Sequence, residues 1–256
     1  MTQDTKGQQA KYYRESVDAE FETTRPHGCG RWYNYLMEYK MEMGLRSLPF
    51  AITGQRVLVA CCGSGMDAEF IARHGARVVG LDLSRDAVRR ARTRAERFQF
   101  ALHLVVGDAE HLPFRDGAVV VCFVHDGLHH LSDPHRAIRE LLRVARGAVL
   151  LIEPAAAAIT RVAVRLGLSE EYEEAGNYVY RFSRRELVSL FHSLRIRLLW
   201  MRRYVMYYHH EPRWYYRLFD RGIAFRTLQV LFVASNALLG RWGNKLMCLA
   251  IKDGSE

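Results

Sequence analysis

Val57-Leu58-Val59-Ala60-Cys61-Cys62-Gly63-Ser64-Gly65 is the stretch from which the architecture is read. Its apolar beginning, RVLVAC over 56–61, suits a buried strand. Cys62 to Gly65 is a turn of small residues. Asp67 to His74 then reads as a short helix stopped by Gly75. The alternation continues downstream. Arg77–Leu83 is a second strand, and Ser84 N-caps a helix with Ala87, Val88, Ala91, Ala95 and Phe98 on one face. The other face carries Arg89, Arg90, Arg92, Arg94 and Arg97, read as a solvated surface. Leu102–Val106 and Val119–Val124 are the third and fourth strands. The fourth has no polar residue, so it belongs at the centre of the sheet. Ser132 or Asp133 caps a helix with Pro134 in its first turn and Ile138, Leu141, Leu142 and Ala145 as its buried stripe. Ala148–Ile152 is a fifth strand.

Strands and helices alternating at this spacing, joined by right-handed crossovers, predict an α/β fold with a doubly wound, mostly parallel sheet. Ligands in such sheets bind at the carboxyl ends of the strands, at the switch point. Chemistry is therefore expected just after Cys61, Leu83, Val106, Val124 and Ile152. Later the pattern changes. Ala155–Asn177 reads as an acidic helix with Glu170, Glu171, Glu173 and Glu174. Ser183 and Glu186 form a capping box. Ile196–His210 reads as a sixth strand, residues 211–243 as two helices, and Lys245–Ile251 as a seventh strand. Residues 1–50 read as an aromatic-rich helical cap. This divides the chain into a cap over 1–50 and a main domain over 51–256 with an aromatic-rich insertion at 204–243.

At 256 residues, 49% hydrophobic and 25% charged, the composition excludes a disordered, collagenous or disulfide-scaffold chain. The net charge of +9 comes from dispersed residues, nearly all of them arginines, which fits solvated helix faces better than a nucleic-acid patch. Aromatics without interleaved lysines point the same way. Cys29, Cys61, Cys62, Cys122 and Cys248 show no metal-ligand spacing. With a polar start that has no apolar h-region, they read as reduced thiols of a cytoplasmic protein, and no metal site is expected. The apolar run Thr227–Gly240, fourteen residues between Arg226 and Arg241, is too short to span a bilayer core of about 30 Å. Peripheral membrane contact and a homodimer stay open.

Three spaced features carry the chemistry. Gly63-Ser64-Gly65 lets backbone amides approach a ligand at a helix N-terminus. Asp82, closing the second strand, is placed to accept hydrogen bonds from ribose hydroxyls. Asp108, in Gly107-Asp108-Ala109, is placed to accept from an exocyclic amine, with Leu112-Pro113-Phe114 as a wall. A dinucleotide fingerprint with Ala68 in its third small position is the competing reading, and Asp108 and His129-His130-Leu131 argue against it.

With these pieces in order, the sequence resembles the class I S-adenosylmethionine (SAM)-dependent methyltransferases, of the small-molecule type 11 group. VLVACCGSG, VVGLDLS, VVGDAEHLPF and HDGLHHLSDP carry the resemblance, over roughly residues 45–205 and the last strand. It implies a Rossmann-like seven-stranded sheet whose last strand is antiparallel, with SAM as cofactor and a small-molecule acceptor. It implies cofactor contacts from Cys61, Gly63, Gly65, Asp82, Leu83, Asp108, Ala109 and His125, and a tyrosine from the cap, Tyr13 or Tyr12. It also puts His125 on the loop after strand four, facing the sulfonium and the acceptor. Two positions depart from the family pattern: Val59 replaces an acidic residue and Cys61 replaces a glycine. Asp67 is the candidate to replace the missing acid.

His125, His129 and Glu153 are the candidate bases. His129-His130 is equally read as packing for the following helix, and Glu153 as a helix cap. Arg25, His27 and Arg31 grip an anion or neutralise acidic neighbours. The expected reaction is methyl transfer to a largely apolar metabolite, a natural-product intermediate or an isoprenoid- or quinone-like molecule. The alternatives are a nucleic-acid or protein acceptor, or an idle SAM-binding scaffold.

Overall fold

The computed structural model describes residues 17–165, 172, 178–212 and 214–252. Tyr12, Tyr13 and Glu170, Glu171, Glu173 and Glu174 lie outside the described residues. The sheet consists of β1 (Arg56–Ala60), β2 (Arg77–Asp82), β3 (Leu102–Val106), β4 (Val119–His125), β5 (Ala145–Pro154), β6 (Arg197–Tyr204) and β7 (Lys245–Ile251). Their order is β3-β2-β1-β4-β5-β7-β6. Only β7 is antiparallel to its neighbours, β5 and β6. All seven residues of β4 are buried, as its apolar run requires of a central strand flanked by β1 and β5.

Helices α1 (Ala19–Thr24), α2 (Arg31–Arg46), α3 (Met66–Arg73), α4 (Arg85–Arg97), α5 (Pro134–Val144), α6 (Ala158–Arg165), α7 (Arg184–Ser193) and α8 (Gly222–Leu239) cover the sheet. Strand alternation divides the core into two layers. Leu58, Cys122 and Val124 pack with Ile138 and Leu141 of α5 and Phe191 of α7. Val57, Val59 and Phe123 pack with Leu36 and Met41 of α2 and Ile71 of α3. The expected caps are present: Ser84 Oγ accepts from Ala87 N, Asp133 from Arg136 N, and Ser183 and Glu186 close a capping box.

Three expectations change. The sixth strand ends at Tyr204, not His210. Asn236 Oδ1 accepts from Val205 N at 2.7 Å and Asn236 Nδ2 donates to Val205 O at 3.1 Å. Asn244 makes the same two bonds to Met206, so two side-chain amides replace the sheet partner that residues 205–206 would otherwise need. The insertion holds one long helix, α8, preceded by a 3-10 turn at Trp214–Phe219 rather than a second full helix. That helix also begins five residues before Thr227. With the 3-10 turn Gly240–Trp242 it forms a 21-residue segment long and apolar enough to cross a membrane by length and composition, so the fourteen-residue length argument fails. Its inner face is nonetheless tied to the fold through Asn236.

Candidate functional site

The sheet order reverses between β1 and β4, and the crevice at their carboxyl ends is built from backbone geometry. Cys61 leaves β1 with φ 52°, Gly63 has φ 50°, and Gly65 starts α3 with φ 82°. Cys61 thus stands in a left-handed conformation that glycine adopts without strain, at a cost of about 1–2 kcal/mol. Its side chain lies against Gly127, where an added Cβ would come within 2.5 Å of Cys61 Cβ. The two residues are a complementary pair: the missing glycine of the first motif is offset by a glycine after β4. Over Gly63, by contrast, a Cβ would meet nothing within 4 Å, so the loop leaves an open cradle. Gly65 supplies no side-chain cap to α3, so the first amides of that helix start without one beside the glycine loop.

Asp82 ties this loop to β2. Its Oδ2 accepts from Gly63 N and its Oδ1 from Ser84 N, both at 2.9 Å. Burial raises its pKa even though those two amides pull it down. Beside it Leu83 is 44% exposed, and Val106, at the end of β3, is 47% exposed. Two large aliphatic side chains held open next to Asp82 and Asp108 make an apolar slot fit for a nucleobase. Asp108 Oδ1 accepts from Glu110 N at 2.9 Å, and Ala109 beside it is buried.

His125 is the last residue of β4 rather than a loop residue, and it is buried. Its Nδ1 is 2.9 Å from Asp67 Oδ2, in the first turn of α3. Its Nε2 is 3.1 Å from Asp126 Oδ2, at ion-pair distance but without an aligned hydrogen bond. Burial disfavours the charged imidazole most strongly, but Asp67 and Asp126 together outweigh it and the pKa is raised. Asp67 Oδ1 is buried and accepts no hydrogen bond. That orphaned carboxylate oxygen, beside the α3 N-terminus and the glycine loop, suits the ammonium group of an amino-acid ligand.

Sequence reasoning missed the groups behind His125. Lys40, fully buried on α2, donates from Nζ to Tyr208 Oη at 2.9 Å, and Tyr208 Oη donates to Asp126 Oδ2 at 3.3 Å. Lys245 Nζ donates to Asp126 Oδ1. Burial lowers the Lys40 pKa to about 7, against the opposing pull of Asp126. The available signal was a lysine inside the apolar stripe of α2, at Tyr33, Leu36, Met37, Lys40, Met41 and Gly44.

Glu153 and His129 are held by each other. Glu153 Oε1 accepts from Gly127 N at 3.0 Å and Leu128 N at 2.8 Å, and its Oε2 is 2.9 Å from His129 Nδ1. Glu153 thereby secures the loop after β4.

The arginine face of α4 is only partly a solvated surface. Arg94 is fully buried. Its Nε donates to Ser64 O at 2.9 Å, its Nη1 to Glu69 Oε2 at 2.9 Å, and its Nη2 to the carbonyls of Glu22 and Arg25. Helical spacing could not show that the cap would cover this residue. Arg25 and His27 pair with acids, Glu22 and Glu69 respectively, and Arg31 lies over the Phe225 ring. Glu22 also pairs with His210 of the insertion. Burial would raise its carboxyl, but Arg25 and His210 hold it down to about 2. Asp220 Oδ1 accepts from Trp32 N at 3.1 Å, capping α2 from the insertion, and Tyr33 Oη donates to His210 O at 3.1 Å. Cap, insertion and glycine loop are thus interlocked around the crevice.

Residues 58–152, which run from β1 through β5, match the family described as "Methyltransferase domain". Over those residues the chain is similar to a methyltransferase domain. The open cradle, Asp82 and the Leu83–Val106 slot fit S-adenosylmethionine as cofactor. Among curated relatives, a demethylmenaquinone methyltransferase of Thermobifida fusca (strain YX) is 37% identical over 97 residues, 38% of this chain and 41% of that protein. A malonyl-[acyl-carrier protein] O-methyltransferase of Serratia marcescens is 37% identical over 105 residues, 41% of this chain and 40% of that protein. The chain thus matches about two-fifths of the length of these relatives. Among solved structures, magnesium protoporphyrin IX methyltransferase from Synechocystis PCC 6803, with bound S-adenosylhomocysteine, has a TM-score of 0.65 at 13% identity, covering 98% of this chain and 100% of that one. This last likeness bears on fold alone. The cap and the insertion lie outside the matched methyltransferase domain.

Proposed function

We propose that the chain transfers a methyl group from S-adenosylmethionine to a small, largely apolar metabolite. The observation that carries this reading is the open cradle over Gly63, bordered by Asp82 and by exposed Leu83 and Val106 at the switch point. In this reading Asp82 holds the ribose, Asp108 and the Ala109 backbone hold the adenine, and Asp67 Oδ1 receives the methionine ammonium. Tyr13 is the cap's candidate for the methionine carboxylate. When bound, the cofactor supplies an electrophilic methyl group on a sulfonium. The protein aligns the acceptor and excludes water. The acceptor lies between the crevice and the aromatic insertion, which serves as a lid latched to the cap by His210 and Asp220.

Calorimetry tests the cofactor assignment. Asp82→Ala is expected to weaken SAM binding by about 1–3 kcal/mol, the scale of hydrogen bonds to a charged group. Unchanged affinity in that variant would place the ribose elsewhere, and no binding by the unaltered chain would remove the assignment.

For a hydroxyl or carbon-acid acceptor, His125 is the proposed base. Glu153 and His129 act instead by positioning the loop that follows it. His125 must be neutral to take a proton, and Asp67 and Asp126 together raise its pKa above the usual 6.5 against burial. Turnover is therefore expected to climb with pH through that raised value. His125→Ala is expected to abolish that limb and to lower kcat by much more than it weakens SAM binding. A wild-type profile in the variant would assign the limb to Lys40, which titrates nearby.

A further inference from the structure

The outward face of α8 is not used by the fold. Its inner face is: Phe232 packs on Trp32, Tyr35 and Tyr39 with ring centroids 5.0–6.0 Å apart, and Asn236 bonds to Val205. On the opposite side Ile223 is 84% exposed, Val230 67% and Leu238 74%, with Leu231 and Val233 on the flanks. Ile223, Val230, Ala234 and Leu238 recur at helical spacing with Thr227 among them, so they form one continuous, mostly apolar stripe. Only 11% of the most apolar window of this segment is buried. A stripe of this size on a water-exposed helix marks a docking surface.

The charges decide what docks there. From Arg221 to Asn244 there is no acidic residue, and the charged side chains are Arg221, Arg226 and Arg241. Arg241 lies over the ring of Trp242, 3.7 Å from its centroid, and Trp242 is itself 48% exposed. An exposed apolar stripe bordered by arginines, with an indole at its end, has the chemistry of a helix that lies in a membrane interface. We infer that this face docks on a bilayer surface carrying anionic headgroups, with α8 parallel to the membrane plane.

A second copy of the chain fits less well. Self-pairing would bring these arginines together with no acid on the face to receive them. A spanning orientation is also disfavoured. It would strip Asn236 from the Val205 backbone and place both Asn236 and Arg226 in hydrocarbon. The inference is independent of the methyl-transfer reading, because it uses neither the cofactor crevice nor turnover.

The test is co-sedimentation of the full chain with vesicles of phosphatidylcholine alone and of an equal mixture of phosphatidylcholine and phosphatidylglycerol. Binding is expected to the mixed vesicles and to weaken as salt rises. Leu231→Glu combined with Leu238→Glu is expected to cut it on the order of tenfold or more. Arg226→Gln combined with Arg241→Gln is expected to remove the preference for the anionic mixture. All four positions are exposed, so melting temperature and SAM affinity serve as folding controls and should not move. Failure of the unaltered chain to bind the mixed vesicles overturns the inference, as does equal binding by the Leu231→Glu, Leu238→Glu variant. Sedimentation velocity showing a dimer that this variant dissociates, without vesicle binding, would assign the face to a second copy instead.

Discussion

Arg94→Met is expected to destabilise the protein by about 3–5 kcal/mol, the cost of removing one member of a buried, hydrogen-bonded charge pair. Native stabilities are of order 5–15 kcal/mol, so this is a substantial part of the whole. Methionine can fill much of the space. It cannot replace the bonds to Ser64 O, Glu69 Oε2 and the carbonyls of Glu22 and Arg25. Three backbone carbonyls would lose their partner inside the fold, and Glu69 would keep only His27 and Arg73. Because Ser64 lies between the two glycines of the cradle, the variant should also bind SAM more weakly. Arg94→Lys should recover little, since one ammonium cannot reach donors' targets in three directions as a guanidinium does. Urea denaturation measures the loss and calorimetry the affinity. A stability change below about 1 kcal/mol, the range of surface substitutions, would show that Arg94 does not join the cap to the cofactor loop.

Gly243→Ala is expected to cost about 4 kcal/mol or more, among the largest effects a single methyl group produces. The backbone at Gly243 has φ −57° and ψ 156°, which any residue adopts, so the cost comes from contact alone. An added Cβ would stand 2.1 Å from both the carbonyl carbon and the oxygen of Tyr204. Those are backbone atoms, so no side-chain rotation can relieve the overlap. Arg203 also clasps this point, donating from Nε and Nη2 to Gly243 O at 3.0 and 2.8 Å. Here the insertion returns to the sheet, so the insertion and the β6–β7 pairing should loosen together. A melting-temperature drop of about 8–16 °C is expected at this chain length. Gly222→Ala is the contrasting control. It has φ 50° but nothing within 4 Å of the added Cβ, and should cost only about 1–2 kcal/mol. Equal melting temperatures for the two variants would show that the Gly243–Tyr204 approach is not a constraint on the fold.

The sheet was legible because its signals are local. A strand such as Val119–Val124 needs only its own apolar run to be recognised as central, and Ser84, Asp133 and Ser183 mark helix starts through bonds to residues three positions on. The ends of elements were less legible where distant side chains decide them. The run from Ile196 to His210 keeps its mix of aliphatic and aromatic residues past Tyr204, yet β6 stops there because Asn236 and Asn244 take over the backbone of Val205 and Met206. Arg94 sits among outward-facing arginines of α4 and is buried because the cap covers it. Lys40 occupies an apolar stripe and is paired with Tyr208, 168 residues away.

The sequence by itself determined the order of strands and helices, the glycine loop after β1, and the placement of Asp82 and Asp108 at strand ends, because each follows from periodicity and short-range spacing. Only the tertiary structure decided that His125 is held between Asp67 and Asp126, that Glu153 secures the following loop, and that the insertion is latched to the cap while α8 turns an apolar stripe to solvent. Those outcomes depend on which charges and faces the packed elements bring together across long sequence separations. Burial then sets the protonation and partners of each group, and no local pattern encodes that.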